Sequence, residues 1–212
     1  YLLGKGYSAI QSQKAIDKLI KAANNLSSGL YEANKEVYHL LRYGVTVLEE
    51  LGQPKETVWL IDWKNPESNQ FGVAEEVTVQ GKHTKRPDVV IYVNGIALGV
   101  IELKRSKVGV EQGIRQNLDN QKDEFIPKFF TTMQLVLAGN DTQGMRYGTI
   151  ETPEKYFLTW KEESDKDFDY VLDKHIYQLC DKTRLLELIH DFIVFDKGVK
   201  KLCRPNQYFG VK

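Results

Sequence analysis

The chain has 212 residues, 42% hydrophobic and 27% charged, with Lys+Arg and Asp+Glu both at 29 and a formal net charge of zero. That length suits one large domain, or one domain with appendages, and can bury a core without disulfide or metal staples. The balanced charge excludes a general polyanion-coating protein but leaves room for a local basic groove. In chain order, "YLLGKG" (1–6) reads as the tail of a helix ending at Gly4, which puts a first helix and the true N-terminus before Tyr1. Residues 8–26 read as a helix capped by Ser8, with Ile10, Ala15, Ile16, Leu19, Ile20 and Ala23 near a helical period. "NNLSSG" (24–29) is a loop, and residues 30–43 form a second helix with Tyr31, Val37, Tyr38 and Leu41 inside and Gly44 as its stop. "VTVLEELGQPKE" gives a short strand or turn, and "TVWLIDW" (57–63) a strand rich in branched and aromatic residues. "FGVAEEVTVQG" (71–81) gives a half-buried strand by its alternation.

The next stretch, "RPDVVIYVNGIALGVIELKRS" (86–106), carries Asp88, Glu102 and Lys104 among apolar residues. Charges in such surroundings are costly to bury without a partner or a task. Asn94-Gly95 between "DVVIYV" and "IALGVIELK" is a hairpin signal. Both faces of these strands are apolar, so they belong in the middle of a covered sheet. Residues 109–125 read as a helix, "TTMQLVLAGN" (131–140) as a buried strand ending in a Gly-Asn turn, and residues 170–195 as mainly helical. Tyr147, Tyr156, Phe157 and Trp160 are expected in the core, His83 on the surface, and "KGVKK" (197–201) as a solvated helix end or linker. The fold class that follows is α/β, a mixed central β-sheet flanked by helices. Cys180 and Cys203 stand outside any CxxC pair and read as reduced, packed thiols of a cytoplasmic protein. No apolar run reaches the ~18 residues of a membrane span, and no partnership with a membrane is expected.

Glu102 and Lys104 are two apart on one strand and share a face. A plain two-residue turn pairs Val93 with Ile96 and sets Asp88 opposite Ile101, on the other face. A bulged or three-residue turn at Asn94-Gly95 is therefore expected, because it returns Asp88 to the face of Glu102. Two carboxylates and an ammonium on one face suit Mg²⁺ and phosphodiester hydrolysis. The competing reading is a buried ion cluster that serves structure alone.

"RPDVVIYVNGIALGVIELK" resembles the PD-(D/E)xK nuclease core, and more narrowly the R (restriction and motor) subunit of type I restriction-modification enzymes. "WLIDWKNPESNQFGVAEEVTVQG", "GNDTQGMRYGTIETPEKYFLTWKEE" and "FDKGVKKLCRPNQYFGVK" resemble the segments of that subunit before the core, after it, and at the lead-in to its first motor domain. The resemblance implies a restriction-endonuclease-like core over residues 1–195 and a lead-in to an ATP-dependent motor over 196–212. It implies Asp88 and Glu102 as metal-binding acids, with the Leu103 carbonyl as a further ligand, and Lys104 as the catalytic lysine. Gln116 stands at the Gln of the family's QxxxY motif, while Asn120 stands where the Tyr belongs. An acid from the first helix is also implied; with that helix before Tyr1, Glu32 is the substitute within this chain. The implied cofactor is Mg²⁺, with Mn²⁺ able to substitute. No GxxxxGK[ST] phosphate loop occurs, so ATP belongs to the full-length subunit and not to this chain. Implied partners are duplex DNA and, through the full-length subunit, the modification and specificity subunits. Lys82, Lys85, Arg86, Arg105 and Lys107 flank the hairpin and read as phosphate contacts or as a solvated rim. The expected function is Mg²⁺-dependent cutting of duplex DNA with no sequence choice of its own. Alternatives are a catalytically impaired nuclease-fold module that docks DNA or the motor, and the nuclease domain of a DNA-repair complex.

Overall fold

The computed structural model describes residues 1–50 and 52–212. Helix α1 (Ala9–Asn24) starts at a capping box in which Ser8 and Gln11 satisfy each other's backbone amides. Helix α2 (Leu30–Tyr43) ends at Gly44, where an added Cβ would lie 2.5 Å from Thr57 Cγ2. Of the apolar residues expected to face the core, α1 buries Ala15 and Leu19, while Ile10, Ile16 and Ile20 remain exposed. Ile16 and Ile20 instead line an open groove beside Asn94, Gly95 and Ile96. Residues 3–5 form one 3₁₀ turn closed by a left-handed Gly6, so the opening turn ends two residues later than expected.

Strands β1 (Val45–Val47) and β2 (Glu56–Val58) form a separate antiparallel pair. Leu51, within the strand or turn expected at 45–56, lies outside the described residues. The strand expected to run through residue 63 stops at Val58. Its continuation bends because the Asp62 carboxylate accepts from the amides of Lys64 and Asn65, a local turn that competes with a ladder.

The main sheet has six strands in the order β3-β4-β5-β6-β7-β8. They are β3 (Phe71–Glu75), β4 (Val89–Val93), β5 (Ile96–Leu103), β6 (Leu135–Asn140), β7 (Gly144–Gly148) and β8 (Leu158–Thr159). The β5–β6 pair is parallel and the others are antiparallel, so the sheet is mixed. The parallel step is made by helix α3 (Val110–Asn120), which crosses over and packs on β5 and β6. Strand β3 ends at Glu75 rather than near Gly81, because Glu76 turns into a left-handed conformation (φ 50°).

Apolar clusters cover both sheet faces. Ile91, Val93, Ile101, Leu135 and Leu137 join one; Val90, Val100, Val136 and Ala138 join the other, with Val110 and Ile114 of α3. Helices α4 (Val171–Leu179) and α5 (Lys182–Asp191) follow, and their Leu172, Leu185 and Ile189 belong to the first cluster. Tyr147 and Trp160 are buried as expected and Phe157 nearly so. Tyr156 is 58% exposed, because it ends a short 3₁₀ turn with the Lys155 ammonium over its ring. Among the described residues, no helix is long and apolar enough to cross a membrane.

"KGVKK" is neither a helix end nor a linker. Lys197 (φ 47°) and Gly198 (φ 80°) turn a hairpin between β9 (Ile193–Asp196) and β10 (Val199–Leu202), and helix α6 (Pro205–Val211) follows. The division expected between residues 195 and 196 falls inside β9. Lys200 of this hairpin is buried, and its Nζ donates to Asn34 Oδ1 (2.8 Å) and Gln134 Oε1 (2.7 Å). Burial holds its ammonium well below the ordinary lysine range. A base with a lowered pKa in the folded state leaves that state with fewer protons than the unfolded chain, so stability rises with pH toward the unfolded value of about 10.4. Lys200→Met is expected to lose that rise, measured as urea midpoints of both proteins between pH 7 and pH 10. Parallel pH profiles would show that the amine stays charged throughout.

Candidate active site

The β4–β5 turn is a plain two-residue turn, with Asn94 at φ 52°, Gly95 at φ 80°, and Val93 paired with Ile96. The expected irregularity is not in the turn. It is a bulge further along: Tyr92 pairs with Ala97 and Ile91 with Gly99, leaving Leu98 as the extra residue. The burial pattern records the slip. Leu98 belongs to the same cluster as Ile96, but beyond the bulge it is Ile101 that faces that cluster and Val100 the other. The register then runs Val90 with Val100 and Val89 with Ile101, so Asp88 stands across from Glu102 on the face that α3 covers. The turn itself is latched by Asn94, whose Nδ2 donates to the Leu60 carbonyl and Asn69 Oδ1 and whose Oδ1 accepts from the Gln70 amide.

At this end of the sheet four side chains meet. Asp88 Oδ2 accepts from the Leu103 amide at 2.7 Å. Lys104 Nζ donates to Glu102 Oε1 and to Gln116 Oε1, both at 2.8 Å. Gln116 reaches the lysine because α3 approaches the sheet closely. At Gly113, one turn earlier, an added Cβ would lie 3.1 Å from Ala138 Cβ and 3.3 Å from the Glu102 carbonyl oxygen. A residue in an extended strand presents its N–H and C=O to the same neighbour, so the Leu103 carbonyl faces the side where its amide meets Asp88.

Glu102 is 1% exposed, and its Oε2 is buried with no hydrogen-bond partner. Burial pushes its carboxyl up to about 7; the Lys104 ammonium opposes the rise and the charge of Asp88 adds to it. A buried carboxyl oxygen with no partner, beside a second carboxylate, is an expensive arrangement. Two carboxylates and a backbone carbonyl are hard donors of the kind Mg²⁺ takes while keeping several waters. Among the described residues no group of three or more His, Cys, Asp or Glu lies together, and the carboxylates here are two, Asp88 and Glu102.

None of the other residues singled out in the sequence hydrogen-bonds one of these four side chains. Glu32 is exposed on α2, and its ion-pair partner among the described residues is Lys35, at 4.0 Å. Asn120 is buried with its Oδ1 unpartnered, and it hydrogen-bonds none of the four site side chains. His83 is exposed. Of the five flanking cations, Arg86 is ion-paired to Glu76 and Lys85 lies 4.0 Å over the Phe125 ring. Lys82, Arg105 and Lys107 are exposed, with no ion pair among the described residues. The sequence reading missed Gly113, although a glycine one turn before Gln116 on a helix was a signal of close approach. It also missed Asn117, buried with its Nδ2 on the Leu137 carbonyl, which pins the same helix.

Residues 3–155 match the family model described as the type I restriction enzyme R protein N terminus. The chain belongs to that family. Within it, the chain is 30% identical over 218 aligned residues to the type I restriction enzyme HindI endonuclease subunit of Haemophilus influenzae, covering 94% of this chain and 20% of that protein. It is 28% identical to the putative MjaVIIIP endonuclease subunit of Methanocaldococcus jannaschii, over 94% of this chain and 19% of the relative. It is also 28% identical to the EcoprrI endonuclease subunit of Escherichia coli, over 72% of this chain and 50% of the relative. This R-protein N-terminal chain spans about a fifth of the length of the first two relatives.

Proposed function

We propose that this chain is the Mg²⁺-dependent endonuclease domain of a type I restriction enzyme R subunit. It has a PD-(D/E)xK core and hydrolyses phosphodiester bonds of duplex DNA without sequence choice of its own. The observation that carries this reading is the bulge at Leu98, which sets Asp88 across from Glu102 beside Lys104 and Gln116. A structural ion pair needs one acid for one lysine; here a second carboxylate and a free buried oxygen remain.

Asp88, Glu102 and the Leu103 carbonyl would hold Mg²⁺, with Mn²⁺ able to substitute. When bound, the ion supplies polarisation of a phosphoryl oxygen and a water of lowered pKa. Lys104 orients the attacking water and places its ammonium against negative charge that develops on the phosphate. Gln116 holds the ammonium from the α3 side, so that it is not drawn wholly onto Glu102. Exposed Lys82, Arg105 and Lys107 give phosphate contacts that position the duplex and carry no sequence information. In the whole subunit, α6 leads on from the hairpin that Lys200 anchors toward an ATP-driven motor. The modification and specificity subunits supply recognition, in a complex that works in the cytoplasm.

The test is cleavage of circular duplex DNA by the assembled enzyme, with and without Mg²⁺, carrying wild-type or Lys104→Ala R subunit. Cutting that needs Mg²⁺ and fails with the variant is the expected result. Cutting at the wild-type rate by Lys104→Ala would remove the lysine from the chemistry.

A further inference from the structure

The basic loop that precedes Asp88 is held in place. Val79 and Lys85 close it with a pair of backbone hydrogen bonds (2.9 and 3.0 Å), and Thr84 Oγ1 donates to Gln80 Oε1 across it. Its tip then rests on the turn that follows α3. The Lys82 amide donates to the Phe125 carbonyl at 3.2 Å, and the Lys85 ammonium sits 4.0 Å over the Phe125 ring. Gly81 makes the approach possible: an added Cβ would lie 2.1 Å from the Phe125 carbonyl oxygen and 2.8 Å from Ile126 Cγ2. The Phe125 turn is itself tied to α3 through the Ile126 amide on the Asn120 carbonyl and through buried Ile126. The loop is therefore braced against the same helix that brings Gln116 to Lys104.

The brace divides the loop's cations into two kinds. Lys85 is half-buried and spent on Phe125, whereas Lys82 is exposed with no ion pair among the described residues. A free lysine on an unbraced loop must be ordered when it meets a ligand, and that cost is subtracted from binding. A lysine whose backbone is already fixed two hydrogen bonds away avoids most of it.

We propose that Phe125 is a positioning residue for duplex DNA: with Gly81 it presents Lys82 as a preformed phosphate contact on the loop that leads into Asp88. Lys85 then acts as the brace and not as a DNA contact. This rests on the nuclease reading above.

The test is a double-mutant cycle on affinity for a fluorescent duplex in EDTA, where no cutting occurs, over a series of salt concentrations. In the wild-type background Lys82→Ala is expected to lower the log–log salt slope by about 0.9, one phosphate contact, with a matching loss of affinity. In a Phe125→Ala background the same change is expected to cost little affinity; in a Phe125→Tyr background, which keeps the ring under Lys85, the cost returns. Phe125 is half-buried, and the tyrosine variant reports separately on any loss of fold. Equal costs of Lys82→Ala in all three backgrounds would overturn the brace while leaving the nuclease reading standing. Absence of duplex binding by the wild type would overturn both.

Discussion

Asp88→Ala and Glu102→Ala are expected to abolish cutting together with divalent-metal binding, whereas Lys104→Ala cripples cutting and keeps the metal. The separation follows from geometry. Asp88 and Glu102 face each other across the β4–β5 pair, and Glu102 retains an unpartnered Oε2. Lys104 occupies the opposite oxygen, Oε1, at 2.8 Å. Removing either carboxylate removes a ligand, and with it the charge that attracts a cation. Removing the ammonium takes a like charge away from that cation, so metal affinity holds or improves. The rate nonetheless falls by about 10²–10³, the size of effect seen when one preorganised electrostatic stabiliser is lost. Gln116→Ala is milder, about tenfold to a hundredfold, because it touches the lysine and not the reacting groups. The check is a cleavage rate and a metal titration on each variant. A Lys104→Ala protein that lost metal binding along with activity would mean that the lysine serves to hold Glu102 in place.

Glu102→Gln is expected to stabilise the metal-free protein at pH 8. The wild-type carboxyl is pushed up to about 7 from an ordinary value of 4.5, with burial as the main cause. An acid whose folded pKa is raised gives stability that is complete below the unfolded pKa and is lost as pH rises through the folded one. The wild type therefore weakens between pH 4.5 and about 7 and is weakest, in this respect, above pH 7. Glutamine keeps a neutral group of the same shape that still accepts from Lys104. The gain at pH 8 is on the order of 3 kcal/mol, from a shift of this size at 1.36 kcal/mol per unit. Saturating Mg²⁺ reverses the order, because only the wild type gains binding energy. Thermal unfolding of both proteins at pH 5 and pH 8, with and without Mg²⁺, gives all four comparisons. A glutamine variant less stable than wild type at pH 8 without metal would show that the pair with Lys104 outweighs the cost of burial.

The elements that set the site were largely legible in the sequence, and the reasons are local. The Ser8 cap, the Gly44 stop and the two-faced apolar pattern of "DVVIYV" and "IALGVIELK" each carry a short-range signal that the fold keeps. The need for a bulge could be deduced from parity, since Asp88 and Glu102 share a face only if one residue is extra. Its position at Leu98 has one local mark, the neighbouring Gly99, and a glycine that packs against Ile91 reads as close packing as readily as it reads as a bulge. Long-range contacts were hidden for the same kind of reason. Lys200 reads as one lysine in a basic run, and only the tertiary fold brings Asn34 and Gln134 to it. The isoleucines of α1 have a helical period, yet Ile16 and Ile20 line an open groove beside the β4–β5 turn and Ile10 is exposed as well. Gly81 and Phe125 meet in the fold but stand far apart in the chain, and no pattern in a single sequence links them.

The central claim is that Asp88 and Glu102 together form a divalent-metal site. The most direct measurement is calorimetric titration of Mg²⁺ or Mn²⁺ into the wild-type chain, beside Asp88→Ala and Glu102→Ala. The account predicts saturable binding in the wild type that both variants lose. Binding that is absent from the wild type, or indifferent to either substitution, would contradict it and leave Asp88, Glu102 and Lys104 as a buried ion cluster with a structural role.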